Sequence, residues 1–114
     1  MLTKDQILSA RPSIKAIDVP EWGGVINVKS MSSLERLAWE RLAHGDAGTV
    51  ITDTMAARLL VYTLCDDAGG LLFTEGDVDA LAGREARVLF RLFKEALAIN
   101  SLTDDAADAD VKNS

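Results

Sequence analysis

Few side chains in this sequence are of a kind that does chemistry, and those few stand apart. His44 is the single histidine and Cys65 the single cysteine. A nucleophilic triad or a zinc site needs several such groups converging on one point. Neither residue has a partner at a motif spacing. His44, next to Gly45, fits a surface loop. Cys65 closes an apolar run and fits a buried thiol acting as a small hydrophobe. The nearest approach to a calcium loop is Asp66-Asp67-Ala68-Gly69-Gly70. A helix–loop–helix calcium site takes oxygen ligands at loop positions 1, 3 and 5. Here the third and fifth places fall on Ala68 and Gly70, so the segment is an ordinary turn. Gly23-Gly24 and Gly69-Gly70 lack the spacing of a phosphate-binding loop. The sequence thus predicts no catalytic residue, no cofactor and no metal, and the chain is expected not to be an enzyme.

The chain of 114 residues fits one domain, and a hydrophobic share of 48% is enough to build a core. Its formal net charge is −6, without a basic run. Nucleic-acid binding depends on Lys and Arg neutralising phosphates, and anionic membranes attract the same residues. Both partners are therefore disfavoured. A lone cysteine excludes an internal disulfide and suits a reducing compartment. The opening Met1 to Gln6 has no apolar signal core, and no apolar run nears the ~18 residues of a membrane span. A soluble intracellular protein is expected.

Several elements can be placed. Thr3 with Gln6 forms a capping-box pattern, predicting a short helix to about Ala10 with Ile7 and Leu8 inward. Arg11-Pro12 ends it. Ile17 and Val19 alternate with Asp18, and Ile26 and Val28 with Asn27, on either side of Gly23-Gly24. That is a β-hairpin, with Pro20 shortening or bulging its first strand. Ser32 with Glu35 is a second capping box, ahead of an apolar stripe of Leu34, Leu37, Ala38 and Leu42. His44 to Gly48 is a loop. A third helix is predicted from about Thr52 to Cys65; apolar on all sides, it would be the central buried one. Asp66 to Gly70 is a turn, and Leu71-Leu72-Phe73 a brief extended piece. A short helix follows Thr74 to Asp77, and Gly83 separates it from a long helix, Arg84 to Asn100.

The apolar residues of that last helix span an arc of roughly 200°, wider than one covered face requires. Two explanations stay open. The helix is wedged between elements of its own domain, or one flank faces another chain. Val88, Phe90 and Leu92 are the interface candidates on it, with Leu71, Leu72 and Phe73 as a second patch. Trp22 at the hairpin tip and Trp39, off its helix's stripe, complete the set, because Trp is a common interface anchor.

These segments together resemble the tail assembly chaperones of long-tailed bacteriophages. The similar stretches are Val19-Pro20-Glu21-Trp22-Gly23-Gly24 with Val25 to Val28, then Met31-Ser32-Ser33-Leu34-Glu35-Arg36 with Trp39-Glu40. They continue with Ala57-Arg58-Leu59-Leu60, the turn Asp66 to Gly70 with Leu72-Phe73-Thr74, and Asp77-Val78 with Ala80-Leu81. Leu92-Phe93 and Asn100-Ser101-Leu102-Thr103 close the series. Order and spacing carry the likeness, from about Thr3 to Thr103. An irregular connection from Gly45 to Ile51 departs from it.

The resemblance implies a non-structural protein that binds and solubilises the tape measure protein in the host cytoplasm and is absent from the mature virion. It also implies oligomers of identical copies, no catalysis, and a longer frameshifted form that recruits the tail tube protein. The expected fold is α+β, mainly α-helical, an N-terminal β-hairpin with a small helical bundle. Residues 1–102 would form the single domain, and 103–114, rich in Asp, an acidic flexible tail. The alternative function is a small structural component of the particle, in the tail tube or the head–tail connector. A third, an unrelated enzyme subunit, lacks candidate residues.

Overall fold

The computed structural model describes residues 1–44 and 54–102. A short helix α1, Lys4–Leu8, leads into strand β1, Ile14–Val19, and strand β2, Gly24–Lys29. A single 3-10 turn, Pro20–Trp22, joins the strands, and Gly23 ends it in the left-handed region at φ 76°. Glycine adopts that conformation without the steric cost other residues bear. Helix α2, Ser33–His44, and helix α3, Met55–Leu60, come next, followed by a two-residue strand β3, Leu64–Cys65. A 3-10 turn, Glu75–Asp77, runs into α4, Val78–Ala82, and α5, Ala86–Ile99, is the last helix. The three strands form one antiparallel sheet in the order β1-β2-β3.

The α+β, mainly helical architecture with its N-terminal hairpin is the one expected. The hairpin register pairs Ile17 with Ile26 and Val19 with Gly24. Side chains alternate along a strand, so Ile17, Val19, Ile26 and Val28 share one face of the sheet. Helix α5 packs on that face, and helix α3 packs against α5. Val88, Leu92 and Ala96 recur every four residues on α5 and are fully buried. Leu59 and Leu60 of α3, with Val61 just past its end, join them in one core. Pro20 leaves β1 at full length without a bulge. It falls just past the strand and opens the 3-10 turn, where its missing N–H costs nothing.

Three expectations need correcting. The predicted helix from Thr52 to Cys65 stops at Leu60. Its last two residues are strand β3, with the Lys29 N–H donating to the Thr63 carbonyl at 2.8 Å ahead of the pairing. An apolar run buried on every side is common to a central helix and an inner strand, so periodicity did not separate them. Ile7 and Leu8 do not turn inward; no residue of α1 is buried. On α2 the stripe is misplaced. Leu34 is 80% exposed and Leu37 45%, whereas Trp39 and Leu42 pack against the core. His44 is the last residue of α2, and the rest of the loop through Gly48 lies outside the described residues, as does the tail from Thr103.

Both N-terminal capping boxes form as predicted. Thr3 Oγ1 accepts from the Gln6 N–H at 3.2 Å while Gln6 Oε1 accepts from the Thr3 N–H at 2.9 Å. At α2, Ser32 Oγ accepts from the Glu35 N–H at 3.1 Å, and Glu35 Oε1 accepts from the Ser32 N–H at 2.8 Å. The same Glu35 carboxylate takes both of its oxygens to Lys29 Nζ, at 2.7 and 2.8 Å, and Lys29 is buried at 6% exposure. Asn100 ties the end of α5 to this corner. Its Oδ1 accepts from the Met31 N–H at 2.7 Å, and its Nδ2 donates to the carbonyls of Lys29 and Ala96.

Burial alone would raise the Glu35 carboxyl, but the hydrogen bonds from Lys29 and Ser32 and the Lys29 charge outweigh it and hold the group below 4.5. A carboxyl depressed on folding contributes stability above its unfolded value, and that contribution disappears as pH falls through the folded one. Glu35→Gln should therefore cost about 1–2 kcal/mol at neutral pH. The gap from the parent chain should close below pH 4.5. Thermal melts of both proteins across an acid series check this, and a gap independent of pH would exclude the carboxylate as its source.

Candidate functional site

Helix α5 runs the length of the hairpin. At the hairpin tip, Arg91 Nη2 meets Glu21 Oε1 at 2.6 Å. Further along, Lys15 Nζ meets Glu95 Oε2 at 2.8 Å. At the base, Asn100 holds Lys29 and Met31. The first half of α5 therefore lies at the tip, and two apolar hollows open there. One, of about 490 Å³, is lined by Met55 from α3 and by Leu89, Phe90 and Phe93 from α5, with small alanines between them. The other, of about 460 Å³, is lined by Trp22, Phe73, Asp77, Ala80 and Leu81. Arg84, in the link between α4 and α5, lines both. It makes no ion pair among the described residues.

The hollows persist because the elements around them turn away. Gly83 ends α4, and its N–H donates to the carbonyls of Asp79 and Ala80. The chain then restarts as α5 after Glu85, so Arg84 sits on the ridge between the short α4 and the long α5. The 3-10 tip leaves Trp22 42% exposed beside Phe73 instead of sealing it. Phe90, 60% exposed, stands edge-on to Phe93 at an interplanar angle of 87°. Alanines at positions 56, 57, 82 and 86 keep the floor of the first hollow open.

Of the residues singled out from sequence, Trp22, Phe73 and Phe90 line the hollows. Leu72 is exposed nearby in sequence, its N–H donating to the Leu64 carbonyl at 3.2 Å. Leu71 is half-buried and bridges to Cys65. Trp39 lies on α2, half-buried against the core, with the Arg36 guanidinium 5.8 Å from its ring centre. Val88 and Leu92 are corrected. Both are fully buried in the row that α5 turns to the sheet, so they serve the core and offer no surface. Sequence reasoning missed Met55, Arg84, Leu89 and Phe93. Met55 was assigned to a buried helix. Arg84 carried no signal until two hollows were seen to share it.

No constellation for catalysis accompanies the hollows. Among the described residues, no three His, Cys, Asp or Glu side chains gather in a way that would hold a metal. Cys65 is buried, and burial pushes its thiol up, away from the reactive thiolate. His44 Nδ1 lies 2.7 Å from the Glu40 carbonyl at the exposed end of α2. The Tyr62 hydroxyl donates to Glu75, and burial together with that acceptor pushes it up to about 12. Among the described residues, no helix is long and apolar enough to cross a membrane. What the site presents is apolar shape around one cation.

The family model for phage tail assembly chaperones matches residues 3–112. The chain belongs to the phage tail assembly chaperone family. The fold is similar to that of the bacteriophage HK97 tail assembly chaperone, with a TM-score of 0.62 over 83% of this chain and 94% of that one. Identity between the two is 22%, so the match speaks for the fold. No curated protein matches the chain. Membership implies a role without catalysis and partners among tail proteins.

The division of α5 into a core row and an exposed flank gives a direct test. Leu92→Ala should destabilise by about 2–5 kcal/mol, the range for opening a cavity in a packed core. Phe90→Ala should stay within about 1 kcal/mol of the parent. Urea denaturation of the two variants checks this. Equal losses would mean that Phe90 is a core residue and the first hollow is part of the packing.

Proposed function

We propose that the chain binds and solubilises the tape measure protein in the host cytoplasm during tail assembly, and that it stays out of the finished particle. The observation that carries this is the trough made by the two hollows on either side of Arg84. Apolar walls with few polar groups, Arg84 between the hollows and Asp77 in the second, suit an amphipathic helix, whose anchors recur every three or four residues. Trp22, Phe90 and Phe93 are large and only partly covered, which is the character of residues that dominate a binding surface. A net charge of −6 keeps such a surface soluble while it waits for a client.

In this reading residues 1–102 supply the binding surface, as an assembly of identical copies, and residues 103–114 are not required for it. Recruitment of the tail tube protein belongs to a longer frameshifted form, not to this chain. The rival role, a permanent component of the tail tube or connector, would leave the protein in purified particles, where a chaperone would be missing.

Co-expression with the tape measure protein tests the proposal. The client should be insoluble alone and soluble with either the full chain or a chain ending at Leu102. Phe90→Asp should remain folded by circular dichroism and lose most of the client, since an apolar anchor is worth about 1–2 kcal/mol, or roughly five- to thirtyfold in affinity. A client equally insoluble with and without the full chain overturns the coating role. Failure of the shortened chain alone would move binding into the tail.

A further inference from the structure

Helix α5 carries charge as well as apolar surface, and the two run side by side. At 100° per residue, Arg87, Arg91 and Lys94 fall within an arc of about 60° on its outer side, and Phe90 borders them. With Glu95 these residues line a shallow hollow of about 350 Å³. Its cations are incompletely neutralised. Arg91 meets Glu21 at the hairpin tip, but Arg87 meets only Glu85, two residues before it, and keeps 73% of its side chain exposed. Lys94, like Arg84, makes no ion pair among the described residues. Residues 84–94 thus hold four cations and one carboxylate in a chain of net charge −6.

The opposite charge follows in the same chain. Residues 103–114 hold Asp104, Asp105, Asp108 and Asp110 against Lys112 alone, which is half of the net charge of the protein. The end of α5 sets where this segment departs. Ser101 takes the left-handed conformation at φ 56°, and the N–H groups of Ser101 and Leu102 donate to the carbonyls of Ala98 and Leu97 at 3.2 and 2.7 Å. Such a cap ends a helix and turns the chain off its axis. Leu102 is thereby fixed beside Leu97, and it packs against the core. Leu97 lies about 20° round the helix from Phe90 and about 60° from Lys94. The acidic segment therefore sets out from the flank that carries the hollow. From Leu97 back to Arg87 is about 15 Å along the axis. The eight residues from Leu102 to Asp110 reach roughly 26 Å when extended, which is ample.

We propose that residues 104–110 return along α5 and lie over the Phe90 hollow of their own chain, with carboxylates on Lys94 and Arg87. The tether selects this occupant over a free acidic peptide, because a segment joined so close by is present at a local concentration on the order of millimolar. Lying there, it covers Phe90. The regulatory part rests on the reading of Phe90 as a client anchor: the segment screens that anchor, and a client helix displaces it. Losing the segment then costs neither the fold nor client binding; it removes a competitor.

Paramagnetic broadening tests the contact in the full chain. A nitroxide on Val111→Cys reports it, since Cys65 is buried and does not compete for the label. At low salt the amides of residues 87–94 should broaden. The broadening should vanish when Asp104→Asn, Asp105→Asn, Asp108→Asn and Asp110→Asn are combined, and again in Arg87→Glu with Lys94→Glu. It should also vanish at ~1 M salt, where the Debye length is about 3 Å. Changing the four aspartates to Lys in the Arg87→Glu, Lys94→Glu chain should restore it. Broadening that is absent, indifferent to these charges, or equally strong between separate spin-labelled and isotope-enriched copies overturns the proposal. Client capture is measured apart, by diluting detergent-dispersed tape measure protein into each chain at low salt. The four-Asn variant should hold it at about three- to tenfold lower concentration than the parent. An equal requirement overturns the screening role. If Phe90→Asp keeps the client while broadening persists in the parent, the client reading falls and the contact stands. If Phe90→Asp loses the client and the parent shows no broadening, the client reading stands and the contact falls.

Discussion

The domain depends on one row of side chains, Val88, Leu92 and Ala96, laid against the sheet. Each is fully buried, and burying a Val or Leu side chain is worth roughly 1.5–3 kcal/mol. The hairpin has one apolar face and nothing of its own to cover it, and a lone hairpin is at best marginally stable in water. Helix α5 covers that face. Once the row is committed to the sheet, the rest of α5's apolar arc must point elsewhere. Leu89 and Phe93 turn toward α3, and Phe90 is left at the surface. The hollows are therefore a geometric residue of the core: a helix with more apolar circumference than its own fold can cover.

That accounts for how a small domain presents apolar surface without collapsing on itself. Ion pairs at Arg91–Glu21 and Lys15–Glu95 fix α5 along the hairpin from the outside. Exposed pairs of this kind contribute little stability, but they set the line of the helix and with it the position of the trough. Membership of a chaperone family and an apolar trough around a single cation are consistent with each other. Neither needs a titrating group, and the perturbed Glu35 and Tyr62 are engaged in holding elements together.

Much of the architecture was legible in the sequence because local chemistry dictated it. The caps at Thr3 and Ser32 specify their helices by hydrogen bonds to residues three positions away, and the hairpin follows from alternation around Gly23. What was illegible depended on distant packing. Leu64 and Cys65 became a strand because β2 offered its open side, which no local pattern announces. The α2 stripe was misread because Leu34 and Leu37 recur at helical spacing, yet the helix turns Trp39 inward. The candidate site was half legible. A Trp at the hairpin tip pointed to Trp22, the apolar triplet of residues 71–73 to Phe73, and the wide arc of the last helix to Phe90. Val88 and Leu92 share the arc of Phe90, and only the sheet's position tells a core row from an exposed flank.

The Asn100 side chain joins α5 to residues 69 and 71 positions earlier. Such closures make a domain late to complete. At synthesis rates of ~5–20 residues per second, the 71 residues between Lys29 and Asn100 take on the order of 4 to 14 seconds to appear. Throughout that interval the apolar residues of the hairpin have no helix to cover them, since α5 is not yet complete. A member of an assembly chaperone family thus passes through an exposed interval of its own at birth, and the length of that interval is set by how far along the chain the covering helix is encoded.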